Sequence, residues 1–247
     1  MSERKLKPRP PFTTASLQQA AYSSLGFSVK MTSSIAQRLY QGMALGDGET
    51  VGLISYMRTD STNLSKDCLD DINNYLSENH SKYQSKEVRK YSKKVKNAQE
   101  AHEAIRPTDI TRTPESIKKF LSTDQNKLYD LIWSRALSSQ MEAAKFDRKT
   151  IIINSDNSLN QFKCSGSTIK FDGFLKLTRI DEKEDEKILP DVNKEEVLVN
   201  DFIDEQHFTQ PPPRYSEASI VKKLEELGIG RPSTYASIIS VISNRGY

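Results

Sequence analysis

Tyr56 and Arg58 stand two apart in the stretch GLISYMRTDST, Gly52 to Thr62. In extended backbone, side chains at i and i+2 project to the same side. A tyrosine phenol ionises near pH 10 and is a poor nucleophile at neutral pH. A guanidinium beside it favours the phenolate and can also hold a phosphate oxygen. Tyrosine is among the side chains that form covalent intermediates. The pair is therefore a candidate nucleophile with a phosphate clamp. Spacing alone favours a plainer reading, in which Tyr56 packs and Arg58 pairs with Asp60 on the surface.

Two further stretches carry groups of the same kind. AHEAIRPTD, Ala101 to Asp109, sets His102 among Glu103, Arg106 and Asp109. A protonated histidine there can bind phosphate or relay a proton; taken alone, it reads as a structural histidine at a helix end. GIGRPST, Gly228 to Thr234, places Arg231, Ser233 and Thr234 before an apolar helical pattern. Amides, hydroxyls and a cation at a helix start suit a phosphate, and simple capping by Ser233 or Thr234 is compatible with that. Three phosphate-handling stretches together point to a nucleic-acid backbone as substrate.

The elements that must position these groups are mainly helical up to about residue 143. Thr14 or Ser16 caps a helix whose face carries Leu17, Ala20, Ala21 and Leu25, with Gly26 ending it. Ser33 or Ser34 caps a second one, with Ile35, Leu39 and Tyr40, stopped by Gly42. A third runs from Ser65 to Leu76, and a long one from Thr123 to Met141. Pro107 marks a boundary at Arg106. Strands then follow at Lys149–Asn154, Gln161–Phe171, Phe174–Ile180 and Glu195–Ile203, separated by turn residues. After TQPPPR, Ser216 caps a helix ending at Gly228. Thr234 caps a second, with Tyr235, Ile238, Ile239 and Ile242 on one face and Gly246 at its end.

The chain of 247 residues has 36% hydrophobic and 28% charged residues, so a sizeable core and a broad solvated surface are both possible. No apolar run approaches the roughly 18 residues of a membrane span, and no secretory signal is visible at the N-terminus. Cys68 and Cys164, far apart, exclude a disulfide scaffold and a cysteine-based metal site within the chain. The net charge of +3 hides local extremes: Lys82–Lys96 carries seven basic groups and one acidic, and Asp181–Glu205 eleven acidic and three basic. On charge alone, the basic run reads as a solvated face.

YMRTDST at Tyr56–Thr62, AHEAIRPTD at Ala101–Asp109 and the whole of Glu217–Tyr247 resemble, in order, the bacterial type IA DNA topoisomerases. LQQAA at Leu17–Ala21 and FDGFLK at Phe171–Lys176 also fit. Met57 after the tyrosine and the AIRP wording resemble the topoisomerase I branch rather than topoisomerase III, whose motif usually has proline there. The resemblance implies that Tyr56 attacks a single-strand phosphodiester to give a 5′-phosphotyrosine and a free 3′-hydroxyl. It implies that Arg58 neutralises the scissile phosphate and that His102 contacts phosphate. Arg231, Ser233 and Thr234 would bind single-stranded DNA near the break, with Arg245 and Arg106 as further DNA contacts and Asp60 orienting Arg58. Strand passage would then relax negative supercoils without ATP.

The same resemblance implies an α+β multidomain architecture. Residues 1–12 would be a linker or the start of an arch, 13–143 a helical, catabolite-activator-like domain bearing the tyrosine, 144–213 the β-rich arch, and 214–247 part of a helical domain lining a DNA groove. The family's TOPRIM domain, which holds Mg²⁺, and its C-terminal single-strand-binding modules have no counterpart here, and no Asp-x-Asp-x-Glu motif occurs. A central fragment is expected, inactive in relaxation by itself, with no metal or cofactor site of its own. Single-stranded and negatively supercoiled DNA are the expected partners, with no membrane, for a cytoplasmic, nucleoid-associated monomer. The helical domain must lift to pass a strand, so its contacts should be modest and Tyr56 accessible. The competing readings are a non-catalytic single-stranded DNA-binding module and a helical scaffold for protein partners.

Overall fold

The computed structural model describes residues 2–46, 48, 50–91, 102–154, 161–178, 188–192, 201 and 203–247. Its helices begin where hydroxyl side chains meet the first free amides. Helix α1, Thr14–Leu25, opens on a reciprocal capping box in which Thr13 Oγ1 accepts from the Ser16 amide at 3.2 Å and the Thr13 amide donates to Ser16 Oγ at 2.8 Å. The cap is thus Thr13, not Thr14 or Ser16, and this frees the Thr14 side chain for another contact. Gly26 closes the helix with φ of 68°, a left-handed conformation that glycine adopts without penalty.

Helix α2, Val29–Gln41, starts one turn earlier than Ser33 or Ser34 would allow. Ser28 is the cap, and Ser33 instead donates to the Val29 carbonyl inside the helix. Val29 and Thr32 are buried, so the apolar face extends back past the expected start. A two-residue ribbon, β2 (Met43–Ala44) with β3 (Thr50–Val51), carries the chain back toward the tyrosine. Helix α3, Lys66–Asn79, is capped by Ser65 as its sequence predicts. A short α4, Pro114–Ile117, precedes α5, Thr123–Ser138, which has a Ser122–Gln125 capping box. These elements bury Leu39, Leu53, Ile72, Leu76, Ile105, Leu128 and Ile132 in one apolar cluster.

The sheet has three antiparallel strands in the order β1 (Ser2–Leu6), β4 (Ala144–Asn154), β5 (Gln161–Phe171). Residues 2–6, which read as linker for want of periodicity, are an edge strand paired from Ser2↔Arg148 to Leu6↔Ala144. Strand β4 begins five residues before the expected Lys149, because Ala144 and Phe146 continue the alternation into the core. The predicted strand at Phe174–Ile180 is corrected: Gly173–Lys176 is a 3₁₀ turn. Gly173 has φ of 52° and lies so close to the chain at Glu142 that an added Cβ would sit 2.6 Å from the Glu142 oxygen. That turn sends both Phe174 and Leu175 into the core, which a strand cannot do with consecutive residues. The predicted strand at Glu195–Ile203 and the acidic stretch 181–187 fall almost wholly outside the described residues; Asp201 and Ile203 themselves are not in a strand.

Helix α6, Glu217–Leu227, runs from a Ser216–Ser219 capping box to Gly228, and α7, Tyr235–Asn244, follows. The pair docks on α1 and α2 through a separate small cluster of Ala15, Val29, Val221, Tyr235 and Ile239. Glu217 accepts the Val29 amide at 2.6 Å, placing a carboxylate at the positive end of α2. No described helix is long and apolar enough to cross a membrane.

Candidate active site

The chain enters the site under tight control. An added Cβ at Gly52 would stand 2.7 Å from the Tyr40 oxygen, so only glycine lets the strand pass the end of α2. The Leu53 amide then donates to the Leu39 carbonyl at 2.8 Å, and Leu53 and Ile54 are fully buried. Ser55 is bonded three ways to the AIRP stretch. Its amide donates to the Arg106 carbonyl at 2.8 Å, its hydroxyl donates to the Ala104 carbonyl at 2.7 Å, and it accepts the Arg106 amide at 3.0 Å.

From Tyr56 onward the side chains alternate. Tyr56 and Arg58 are exposed, while Met57 and Thr59 are 6% and 1% exposed. The first turn of α1 holds this alternation. The Thr14 hydroxyl donates to the Met57 carbonyl at 2.7 Å and accepts the Thr59 amide at 2.9 Å, and the Thr14 amide donates to the Thr59 carbonyl at 2.8 Å. Arg58 is gripped on both sides through its neighbours' backbone, while its guanidinium is left outward. The same-side projection of Tyr56 and Arg58, anticipated from their spacing, is what the structure has.

Both side chains line an open cleft of about 400 Å³ together with Asp60, His102, Arg231 and Ser233. Tyr56 is 37% exposed, so its phenol is open to a substrate. Its ring meets Tyr40 edge-on at 5.3 Å between centroids and lies tilted against His102 at 5.6 Å. Two aromatic neighbours thus limit its rotamers. The surface pair of Arg58 with Asp60 does not form: among the described residues Arg58 has no ion pair. Asp60 therefore does not orient Arg58 here. It instead also borders a hollow with Glu225 and Tyr235.

The other wall comes from the turn between α6 and α7. Gly230, at φ of 78°, allows that turn, and an added Cβ would crowd Ile238 at 3.0 Å. Thr234 does not cap α7 through its side chain; its hydroxyl accepts the Arg231 amide at 2.8 Å and so shapes the turn that presents Arg231 and Ser233. Arg231 donates from Nη1 to the Gly230 carbonyl at 2.8 Å. Thr234 supports the cleft wall, and Arg245 lies exposed at the far end of α7, away from the cleft lining.

Arg106 works inside the protein. Its Nη2 lies 2.7 Å from Glu103 Oε2, and its Nε donates to the same oxygen at 2.9 Å. Burial works against the Glu103 carboxylate, but hydrogen bonds from Ser65 and Arg106 outweigh it and hold its pKa below the ordinary value. The guanidinium expected on DNA is in this structure a brace for the loop that anchors Ser55. Cys68, nearby, is pushed up to about 11 by burial and is a packed thiol, not a reactive one. Among the described residues no group of three or more His, Cys, Asp or Glu can hold a metal. The cleft's donor set, one carboxylate and one imidazole, does not fit Mg²⁺.

Three positioning residues escaped the sequence reading: Thr14, Tyr40 and Ser55. Thr14 was masked by its resemblance to a helix cap. Tyr40 reads in the sequence only as one of the apolar residues of the second helix, beside Ile35 and Leu39. Ser55 gave none, because its partners lie far along the chain.

A sequence model of the DNA topoisomerase family matches residues 1–247. DNA topoisomerase 1 of Rickettsia felis is 54% identical, over 99% of this chain and 32% of that protein. DNA topoisomerase 1 of Xylella fastidiosa (strain 9a5c) is 45% identical, over 99% of this chain and 31% of that protein. The structure of full-length topoisomerase I from Thermotoga maritima superposes with a TM-score of 0.79 at 38% identity, covering 100% of this chain and 39% of that one. The chain spans about a third of the length of the curated relatives it matches.

Proposed function

The chain belongs to the type IA DNA topoisomerase family, and on that premise we propose that Tyr56 is the nucleophile of a transient single-strand DNA break. The carrying observation is the cleft itself. It gathers a phenol, two guanidiniums, an imidazole and a hydroxyl, with the single carboxylate of Asp60, from three stretches far apart in the chain. A phosphodiester is the substrate that fits this set. In the proposed step Tyr56 Oη attacks phosphorus, the bond to the 3′-oxygen breaks, and a 5′-phosphotyrosine forms. The phenol gives up one proton and the departing 3′-oxygen gains one, so the exchange is balanced and the bond energy is kept for religation. Arg58 neutralises the phosphate charge from the Tyr56 side and Arg231 from the opposite wall, with His102 and Ser233 as further phosphate contacts. Thr234 acts through Arg231, and Arg245 extends DNA contact along α7.

The finer domain reading belongs to the same proposal: a helical, tyrosine-bearing unit, a β-rich arch built on β1, β4 and β5, and a helical DNA-groove segment at α6 and α7. Relaxation of negatively supercoiled DNA, as a monomer, is the activity we propose for the complete enzyme of this family. We propose that Mg²⁺ is held by acidic residues that family members carry in their TOPRIM region. The pure chain is expected not to relax plasmid DNA; Mg²⁺-dependent relaxation by it would overturn that part. With a TOPRIM domain of a relative added in trans, a suicide oligonucleotide is expected to give a covalent adduct that Tyr56→Phe abolishes. Single-stranded DNA binding by a folded chain with no adduct would favour a non-catalytic binding module instead.

A further inference from the structure

A second surface, sharing no residue with the cleft, has the character of a nucleic-acid site. Lys7 precedes α1, Lys82 to Lys90 follow α3, and Lys145 opens β4; they converge on two adjoining hollows of about 470 and 680 Å³. The hollows share Ser85, Lys86 and Glu142, so they form one groove. Six cations line it (Lys7, Lys82, Lys86, Arg89, Lys90 and Lys145) against two carboxylates, Glu87 and Glu142. On charge alone this run reads as a solvated face, and the structure argues otherwise.

A solvated run has no reason to be pinned, yet this one is laced to the end of α5. The Ser85 amide donates to the Gln140 carbonyl at 3.2 Å, and the Arg89 amide to Gln140 Oε1 at 3.0 Å. Gln140 Nε2 returns a bond to the Arg89 carbonyl at 3.1 Å, and Arg89 Nε donates to the Met141 carbonyl at 2.9 Å. Lys86 between these anchors and Lys90 just after them are exposed, so their backbone is held while their ammonium groups face solvent. At the far end, Tyr83 stacks on Phe171 with ring centroids 5.5 Å apart, and Lys82 and Lys145 flank the Phe171 ring. At the near end the Tyr91 carbonyl accepts the Thr62 hydroxyl at 3.0 Å, which ties the groove's lining to the stretch that follows Tyr56.

We propose that this groove binds the phosphate backbone of DNA outside the cleavage cleft, giving the protein a second, sequence-independent hold on its substrate. Converging cations on a concave, anchored surface beside an aromatic stack are the features of a backbone-tracking site. The inference rests on the reading of the chain as a DNA enzyme. It does not depend on Tyr56 being the nucleophile.

The test replaces Lys82, Lys86 and Lys90 together by Gln and follows fluorescence anisotropy across a salt series. Three labelled probes are used: a strand of about 7 nucleotides that fills only the cleft, a strand of about 25 nucleotides, and a duplex of similar length. On a long probe the triple variant is expected to bind roughly tenfold or more weakly near ~100 mM salt, with the slope of log affinity against log salt reduced by about 2. Binding of the short strand and melting temperature should not move, whereas Arg58→Ala weakens the short strand. Loss on the long strand identifies single-stranded DNA as the groove's ligand, and loss on the duplex alone identifies duplex DNA. An unchanged slope on both long probes overturns the proposal. Absence of the Tyr56 adduct together with a reduced slope would sink the cleavage reading and leave the groove standing.

Discussion

The wall that carries Tyr56 and Arg58 is tied into the larger core, whereas the wall that carries Arg231 and Ser233 rests on a cluster of five buried residues. On the first wall, Leu53, Ile54 and Met57 are core residues, and Thr14 and Ser55 bond the backbone on both sides of the phenol. On the second, a small cluster around Val221, together with the bond from the Val29 amide to Glu217, docks α6 and α7 on α1 and α2. On the proposed function, the difference would hold a nucleophile still while part of a DNA-binding surface comes away. Rigidity serves the reacting atom; a small interface keeps opening inexpensive in free energy.

The largest effects fall on the fixed wall. Tyr56→Phe removes the phenol oxygen and should abolish the adduct with folding intact, as read by gel shift and melting temperature. Arg58→Ala should slow cleavage roughly 10²-fold without lowering stability, because the side chain is exposed and has no ion pair among the described residues. A large loss of melting temperature would mean that Arg58 is structural and that the clamp reading is wrong. Thr14→Val removes the buried hydroxyl and should destabilise the chain by about 2 kcal/mol, with a larger loss in cleavage than in single-stranded DNA binding.

On the lighter wall, Val221→Ala should cost about 1.5 kcal/mol. Amide exchange is the informative readout: protection should fall across α6 and α7 and stay unchanged in α5. Equal loss in α5 would make the two walls one cooperative unit. The smallest effect concerns Glu103. Its pKa is depressed on folding, so the stability it contributes is present above the usual glutamate value of 4.5 and is lost as pH falls through the lower folded value. The melting-temperature gap between the unaltered chain and Glu103→Gln should therefore be full at neutral pH and close on acidification below that range. A gap that widened would show that Glu103 is protonated in the fold.

How far these walls could be read from the sequence follows from the range of each signal. Gly26, Ser65, Ser216 and Gly228 mark helix ends correctly because capping acts within one turn. The common orientation of Tyr56 and Arg58 follows from a two-residue alternation, again local. Ser28 was missed as a cap because FSVKMTSS offers several hydroxyls, and only burial of Val29 and Thr32 chooses among them. Phe174 reads as strand because FLKL alternates, while the close approach of Gly173 to Glu142 that imposes a turn is a tertiary contact. The Thr14 clamp spans 43 residues and has no local trace. Arg106 is the converse case: a cation in a phosphate-handling motif whose guanidinium is engaged in this structure by its i−3 neighbour, Glu103.

Tyr40 makes the central claim sharply testable, since its ring is the other phenol in contact with Tyr56, 5.3 Å away. The deciding measurement is peptide mapping by mass spectrometry of the complex trapped with a suicide oligonucleotide and a TOPRIM domain in trans. A single modified peptide carrying a 5′-phosphodeoxynucleotide on Tyr56 is expected. The same mass on Tyr40, or on Tyr56 through a 3′-phosphate, would contradict it.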